Sequence, residues 1–217
     1  MREHYHAELD VVVDELVRMT EIVSSMIERA TSALLTGDLA AAESVIAADD
    51  DVDELNREIE TGATDIIALQ QPVAGDLRTC IGCLRMAATV ERAGDLARHV
   101  AKTARMRYPE RAVPPELEHV FREMGTVATQ MMAEVGHILS SRDLSLVQDI
   151  EVADDRMDAL HRQLFRALLD DGWPHGIEAA VDVTLLSRFY ERYADHCVSM
   201  SRRIVFLVTG HRLDQES

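Results

Sequence analysis

The chain has 217 residues, 47% of them hydrophobic and only 4% aromatic, with a formal net charge of −17 at pH 7. That apolar fraction excludes an intrinsically disordered chain. The acidic balance excludes sequence-independent nucleic-acid binding, which needs clustered Lys and Arg against the phosphates, and is compatible with basic protein partners, with cations, or simply with a solvated helical surface.

The N-terminal stretch MREHYHAELDVVVDEL holds no apolar signal core, and no run approaches the roughly eighteen apolar residues a membrane span needs, so a cytoplasmic protein is expected. Apolar spacings of three and four recur almost throughout, and strand-like alternation is nowhere sustained. The first predicted helix, about 4–36, runs through Leu9, Val12, Leu16, Met19, Val23, Met26, Ala30 and Ala33. Gly37 stops it, because glycine accepts the left-handed C-terminal conformation cheaply. The second, about 38–70, carries Val45, Ala48, Val52, Leu55, Ile59, Ile66 and Leu69 and ends before Pro72. The third, about 73–107, carries Leu77, Ile81, Leu84 and Ala88, then Gly94 and Ala97. Pro109, Pro114 and Pro115 follow, and so many prolines in a short stretch cannot continue a helix.

Beyond that boundary the pattern starts again. Met19, Met26, Ala30 and Ala33 return as Met124, Met131, Val135 and Ile138 at an offset of 105, which also carries Asp38-Leu39 onto Asp143-Leu144. The same offset carries Val45, Ala48, Val52, Leu55 and Ile59 onto Ile150, Ala153, Met157, Leu160 and Leu164. At the third helix the offset falls to 100, where Glu91-Arg92 and Asp95 match Glu191-Arg192 and Asp195. The predicted fold is all-α: two tandem three-helix bundles related by an internal repeat, over 1–108 and 115–217, with 109–114 as linker.

Isolated acid pairs at i and i+4 mean little in a chain with 39 acidic residues. Recurrence in both halves is more informative. Asp49 and Asp53 return as Asp154 and Asp158, and Glu91 and Asp95 return as Glu191 and Asp195. Asp49 and Asp53 each follow a seam residue, and Glu91 and Asp95 continue the line of Leu77, Ile81, Leu84 and Ala88. Like charges one turn apart beside an apolar seam repel and lose solvation, so something positive should offset them. The candidates are the neighbouring Arg92, Arg192 and Arg188, or a bound divalent or trivalent metal ion; four carboxylates suit Mg²⁺, Mn²⁺ or iron, with Zn²⁺ also accommodated.

The ordered set of motifs resembles the PhoU family. The turn Gln71-Pro72-Val73-Ala74-Gly75-Asp76-Leu77-Arg78 is followed by Glu91-Arg92-Ala93-Gly94-Asp95, and the second repeat reads Glu191-Arg192-Tyr193-Ala194-Asp195-His196. The similarity spans about residues 8–209 and suggests an actinobacterial-like member. It implies a cytoplasmic negative regulator of phosphate uptake and of the phosphate-starvation response. Such a regulator is an adaptor between the ATPase-driven phosphate ABC transporter (through its ATPase subunit) and a sensor histidine kinase, is a homodimer, and meets the membrane only through partners. The resemblance also implies iron or zinc at the acid motifs. The family's His-x-x-Asn becomes Leu96-Ala97-Arg98-His99 in the first repeat, and the second has Ser199 at the Asn position.

Other signals weigh less. Cys80 and Cys83 fall within a helical pattern and correspond to Ala180 and Val183, as Cys197 does to Ala97, so they read as small buried fillers. His196, beside Asp195, is placed to support a site or face solvent. The Met19, Met26, Met124 and Met131 stripe reads as core. No phosphate-cradling glycine loop, nucleophile elbow or Ser/His/Asp order is present, so no enzymatic activity is expected. The alternative is a metal-dependent carboxylate-cluster hydrolase or metal-handling helical bundle.

Overall fold

The computed structural model describes residues 2–211; residue 1 and residues 212–217, at the outer ends of the two expected units, lie outside the described residues. Its helices are α1 (Arg2–Thr36), α2 (Leu39–Ala47), α3 (Asp49–Gln70), α4 (Ala74–Arg107), α5 (Glu118–Ser141), α6 (Val147–Leu168) and α7 (Gly176–Thr209). Short 3-10 turns over Pro115–Leu117 and Leu144–Leu146 lead into α5 and α6. The fold is all-α, and the helices of each half form the expected bundle.

The punctuation repeats with the pattern. Gly37 is left-handed at φ 70°, and Asp38 then caps α2, its Oδ1 accepting the Ala41 N–H at 3.0 Å. In the second half Arg142 takes the left-handed position at φ 59°, and Asp143 Oδ1 accepts the Ser145 N–H at 3.0 Å. A side chain therefore tolerates this turn, at the modest strain a non-glycine residue carries there.

The single helix expected over 38–70 is broken at Ala48. Asp49, Asp50 and Asp51 come next, all in the first turn of α3. Aspartate is a poor helix-interior residue but is stabilised at a helix N-terminus, where the backbone dipole is positive, so three in a row favour a fresh start. The apolar line expected on α4 is also displaced. Leu77, Leu84 and Ala88 are half-buried and Ile81 is 39% exposed, while Cys80, Cys83, Met86, Ala87, Val90 and Ala93 face the core. Small residues carry little hydropathy signal, yet they permit the closest helix contact. All three cysteines are free and buried, and burial pushes the Cys83 thiol up to about 12. The four stripe methionines are fully buried.

The halves share one continuous core. Helix α1 packs on α5 as extensively as on α4 of its own half, and α4 packs on α7. Both pairs are antiparallel. On α1 and α5, Thr20 faces Gly136 and Thr31 faces Gly125. These are repeat partners exchanged, since Thr20 corresponds to Gly125 and Thr31 to Gly136, and the exchange marks a pseudo-twofold axis. A Cβ at Gly136 would lie 2.5 Å from Thr20 Oγ1, and one at Gly125 closer still to Thr31. Thr31 cannot yield easily, because its hydroxyl bonds Ile27 O and the Tyr190 hydroxyl, each at 2.7 Å. Ser24 Oγ donates to Thr129 O at 3.0 Å, and the Tyr193 hydroxyl donates to Val23 O at 3.3 Å.

On α4 and α7, His99 stacks on Phe189 with centroids 5.3 Å apart, and Arg107 forks onto Asp182 at 2.6 and 3.0 Å and also pairs with Glu178. No helix forms over 108–114, as expected, but Ala112 and Val113 of that connection are buried. It is pinned to the core rather than a slack tether.

Candidate functional site

Each acid quartet is assembled where two helices of one half pack, α3 with α4 and α6 with α7. In the first, Asp49 opens α3 and is 6% exposed, while Asp53, one turn on, faces solvent. Glu91 and Asp95 lie half-buried on α4. The four carboxylates are within electrostatic reach of one another. Burial first, then Asp95, Asp53 and Asp49, raises the Glu91 pKa. Burial raises that of Asp49 too, reinforced by Asp95 and Asp53 and opposed chiefly by Arg98.

Arg98 is the organising cation. Its Nη1 stands 2.6 Å from Asp49 Oδ2, and its Nη2 pairs with Asp95 Oδ1. One guanidinium thus spans α3 and α4, in the place where a metal ion would bridge the acids. Sequence reading assigned no role to Arg98. The available signal was its position three residues after Asp95, on the same helical face.

The second quartet is built differently. The residue that corresponds to Arg98 is Val198, which is buried and cannot neutralise anything. Asp154, half-buried on α6, has its pKa raised to about 6 by burial, then by Asp195, Asp158, Asp155 and Glu191, with no cation among the causes. Arg188 pairs with Glu191, as its neighbourhood suggested, yet burial and Asp195 still leave the Glu191 pKa raised. Asp158 pairs with Arg162 at 3.3 Å on the outer surface. His161, one turn of α6 further, bonds Ser187 Oγ through Nδ1 at 2.6 Å.

The other expected cations lie elsewhere. Arg92 and Arg192 are exposed, and the charges of both act on His196. His196 is half-buried, its Nε2 has no hydrogen-bond partner, and burial, Arg192 and Arg92 together lower its pKa against Asp195.

Among the described residues no three His, Cys, Asp or Glu side chains are gathered tightly enough to hold a metal ion. The first quartet does not fit a metal, because Arg98 already supplies the positive charge and occupies the space between Asp49 and Asp95. The second has fitting donor chemistry: hard carboxylate oxygens, an unneutralised Asp154 and an apolar residue at the Arg98 position.

A family model described as PhoU domain matches twice, over residues 16–104 and 121–204. The chain is 46% identical over 210 residues to the phosphate-specific transport system accessory protein PhoU homolog 2 of Mycobacterium tuberculosis, covering 97% of this chain and 99% of that one. It is 45% identical over 210 residues to PhoU homolog 1 of Mycobacterium leprae, covering 97% and 95%. The crystal structure of PhoU from Pseudomonas aeruginosa superimposes with a TM-score of 0.87 at 27% identity, covering 95% of this chain and all of that one.

Proposed function

The chain belongs to the PhoU family, and from that premise we propose that it is a cytoplasmic negative regulator of phosphate uptake and the phosphate-starvation response. It acts as an adaptor between the phosphate ABC transporter, through the ATPase subunit, and a sensor histidine kinase, and is a homodimer. The observation that carries this is near-full-length similarity, through both repeats, to proteins named as accessory to phosphate-specific transport. Proteins of this family are regulatory accessory proteins rather than enzymes, which sets the hydrolase reading aside. No helix among the described residues is long and apolar enough to cross a membrane.

The architecture supports an adaptor. With α4 and α7 antiparallel, the α3–α4 turn lies at the end of the molecule where α7 finishes, and the α6–α7 turn lies at the opposite end. Each turn exposes apolar side chains, Leu69 and Val73 on one and Leu169 and Ile177 on the other. Two apolar tips at opposite ends of a shared core suit a protein that must touch two partners at once. The second acid quartet takes one divalent or trivalent metal ion (Mg²⁺, Mn²⁺, iron or Zn²⁺) through Asp154, Asp158, Glu191 and Asp195, which would relieve their mutual repulsion. In the first quartet Arg98 pairs with Asp49 and Asp95 instead. In a strain lacking every paralogue, starvation genes should be on in phosphate-rich medium and repressed again by a plasmid copy of this chain. Expression that is unchanged by either manipulation would overturn the regulatory role.

A further inference from the structure

The turn motif ending at Arg78 plays no part in the acid clusters, yet it forms one wall of a separate groove. The first turns of α4 and the last turns of α7 leave between them about 330 Å³ with Leu77, Ile81 and Leu207 as an apolar floor and Arg78, Arg85 and Arg203 around it. Residue 82 is glycine at this contact, where a Cβ would stand 2.5 Å from Leu207 Cδ2. Arg78 is fixed rather than waving in solvent. Its guanidinium carbon lies 5.6 Å from the Phe206 ring centroid, and its Nη1 fills the space a Cβ at Gly210 would need, 2.5 Å from that position. Its Nε is buried without a hydrogen-bond partner.

Charge makes the arrangement unusual. The chain has 39 acidic residues against 22 Lys and Arg, so carboxylates are abundant. Even so, neither Arg78 nor Arg85 forms an ion pair with a carboxylate among the described residues. A fixed guanidinium with unused donors beside an apolar floor recognises a molecule that is anionic at one end and apolar at the other.

We propose that this groove binds a small amphipathic organic anion, its apolar body on Leu77, Ile81 and Leu207 and its phosphate, carboxylate or sulfonate head on Arg78 and Arg85. The volume is at the small end of the range of roughly 300–1,000 Å³ for ligand pockets, which suits a body of about two fused rings or a medium alkyl chain. The concave floor between two helices favours such a molecule over a flat bilayer surface, which could touch the rim but not the floor.

The test is a fluorescence titration of the full chain with anilinonaphthalene sulfonate, set beside phenylnaphthylamine, which keeps the rings but lacks the anionic head. One saturable site is expected for the sulfonate, with the neutral analogue about tenfold weaker, and displacement by decanoate but not by inorganic phosphate. Arg85→Gln should weaken the sulfonate about tenfold and leave the neutral analogue unchanged; Arg78→Gln should do the same. Ile81→Glu should weaken both. Arg85 and Ile81 are exposed enough that their substitution leaves folding intact by circular dichroism, so the test stands even if Arg78→Gln unfolds the chain. Equal binding of the two dyes, or sulfonate binding indifferent to Arg85→Gln and Ile81→Glu, would overturn the proposal. Displacement by phosphatidylglycerol vesicles but not by decanoate would also overturn it, marking a membrane face instead.

Discussion

Asp49 and Asp154 occupy the same place in the two repeats, and replacing each by asparagine separates the two clusters by their energetics. For Asp154, the folded-state pKa of about 6 stands above the ordinary aspartate value of 3.8. The folded protein therefore holds a proton that the unfolded chain has released between those values. The penalty for ionising Asp154 is absent below about pH 4, grows up to about pH 6 and is complete above it. Unscreened, such a shift would correspond to about 3 kcal/mol at 1.36 kcal/mol per pH unit. Asp154 is only half-buried, so solvent screening brings the expected effect down to about 1 kcal/mol. In chelator at pH 7.5, Asp154→Asn should thus melt about 2–4 °C above the parent, and the difference should vanish near pH 4. Asp49→Asn should gain less than Asp154→Asn at pH 7.5, because relief from burial is partly offset by the ion pair lost to Arg98. Melting curves by circular dichroism decide the matter. An Asp154→Asn protein no more stable than the parent at pH 7.5, or an Asp49→Asn protein that gains as much, would refute the assignment of the cation to one cluster only.

Two further outcomes follow from the same geometry. Arg98→Gln should cost about 2 kcal/mol at pH 7.5, since Asp49 is left buried without its counter-charge, and the first cluster should acquire a Mn²⁺-dependent rise in melting temperature that the parent's first cluster lacks. Gly125→Ala should lower stability by about 1–2 kcal/mol in urea titrations, because the clash with the hydrogen-bonded Thr31 outweighs the better helix propensity of alanine; Gly75→Ala, in the open first turn of α4, should instead be neutral or gain up to about 1 kcal/mol.

Periodicity revealed which faces are apolar and where helices stop. The buried Met19, Met26, Met124 and Met131, the paired caps Asp38 and Asp143, and the company kept by the two acid quartets were all legible for that reason. It did not reveal which helix covers which face. Thr20, Thr31, Gly125 and Gly136 are small and nearly neutral in hydropathy, so the contact that joins the halves left no trace in the apolar pattern. Ile81 looked like core because it sits in a line of large apolar residues, whereas the tight interface is made by Cys80, Cys83 and Ala87. Arg98 was hidden for a different reason. Arg92 and Arg192 recur in register and drew attention as counter-charges, while the residue that bridges Asp49 and Asp95 has no counterpart in the second repeat. Repeat symmetry finds what the halves share, and the difference between the clusters lies in what they do not.

That difference is tested most directly by counting bound metal. Metal-stripped protein is equilibrated with Mn²⁺, iron or Zn²⁺, excess ion is removed, and metal per chain is measured for the parent, for Asp49→Asn with Glu91→Gln, and for Asp154→Asn with Glu191→Gln. The predicted result is about one ion per chain for the parent and the first double variant and none for the second, with binding raising the parent's stability by about 2.7 kcal/mol at a hundred times the dissociation constant. Two ions per chain, no ion in the parent, or loss of the ion on changing Asp49 and Glu91 would contradict it.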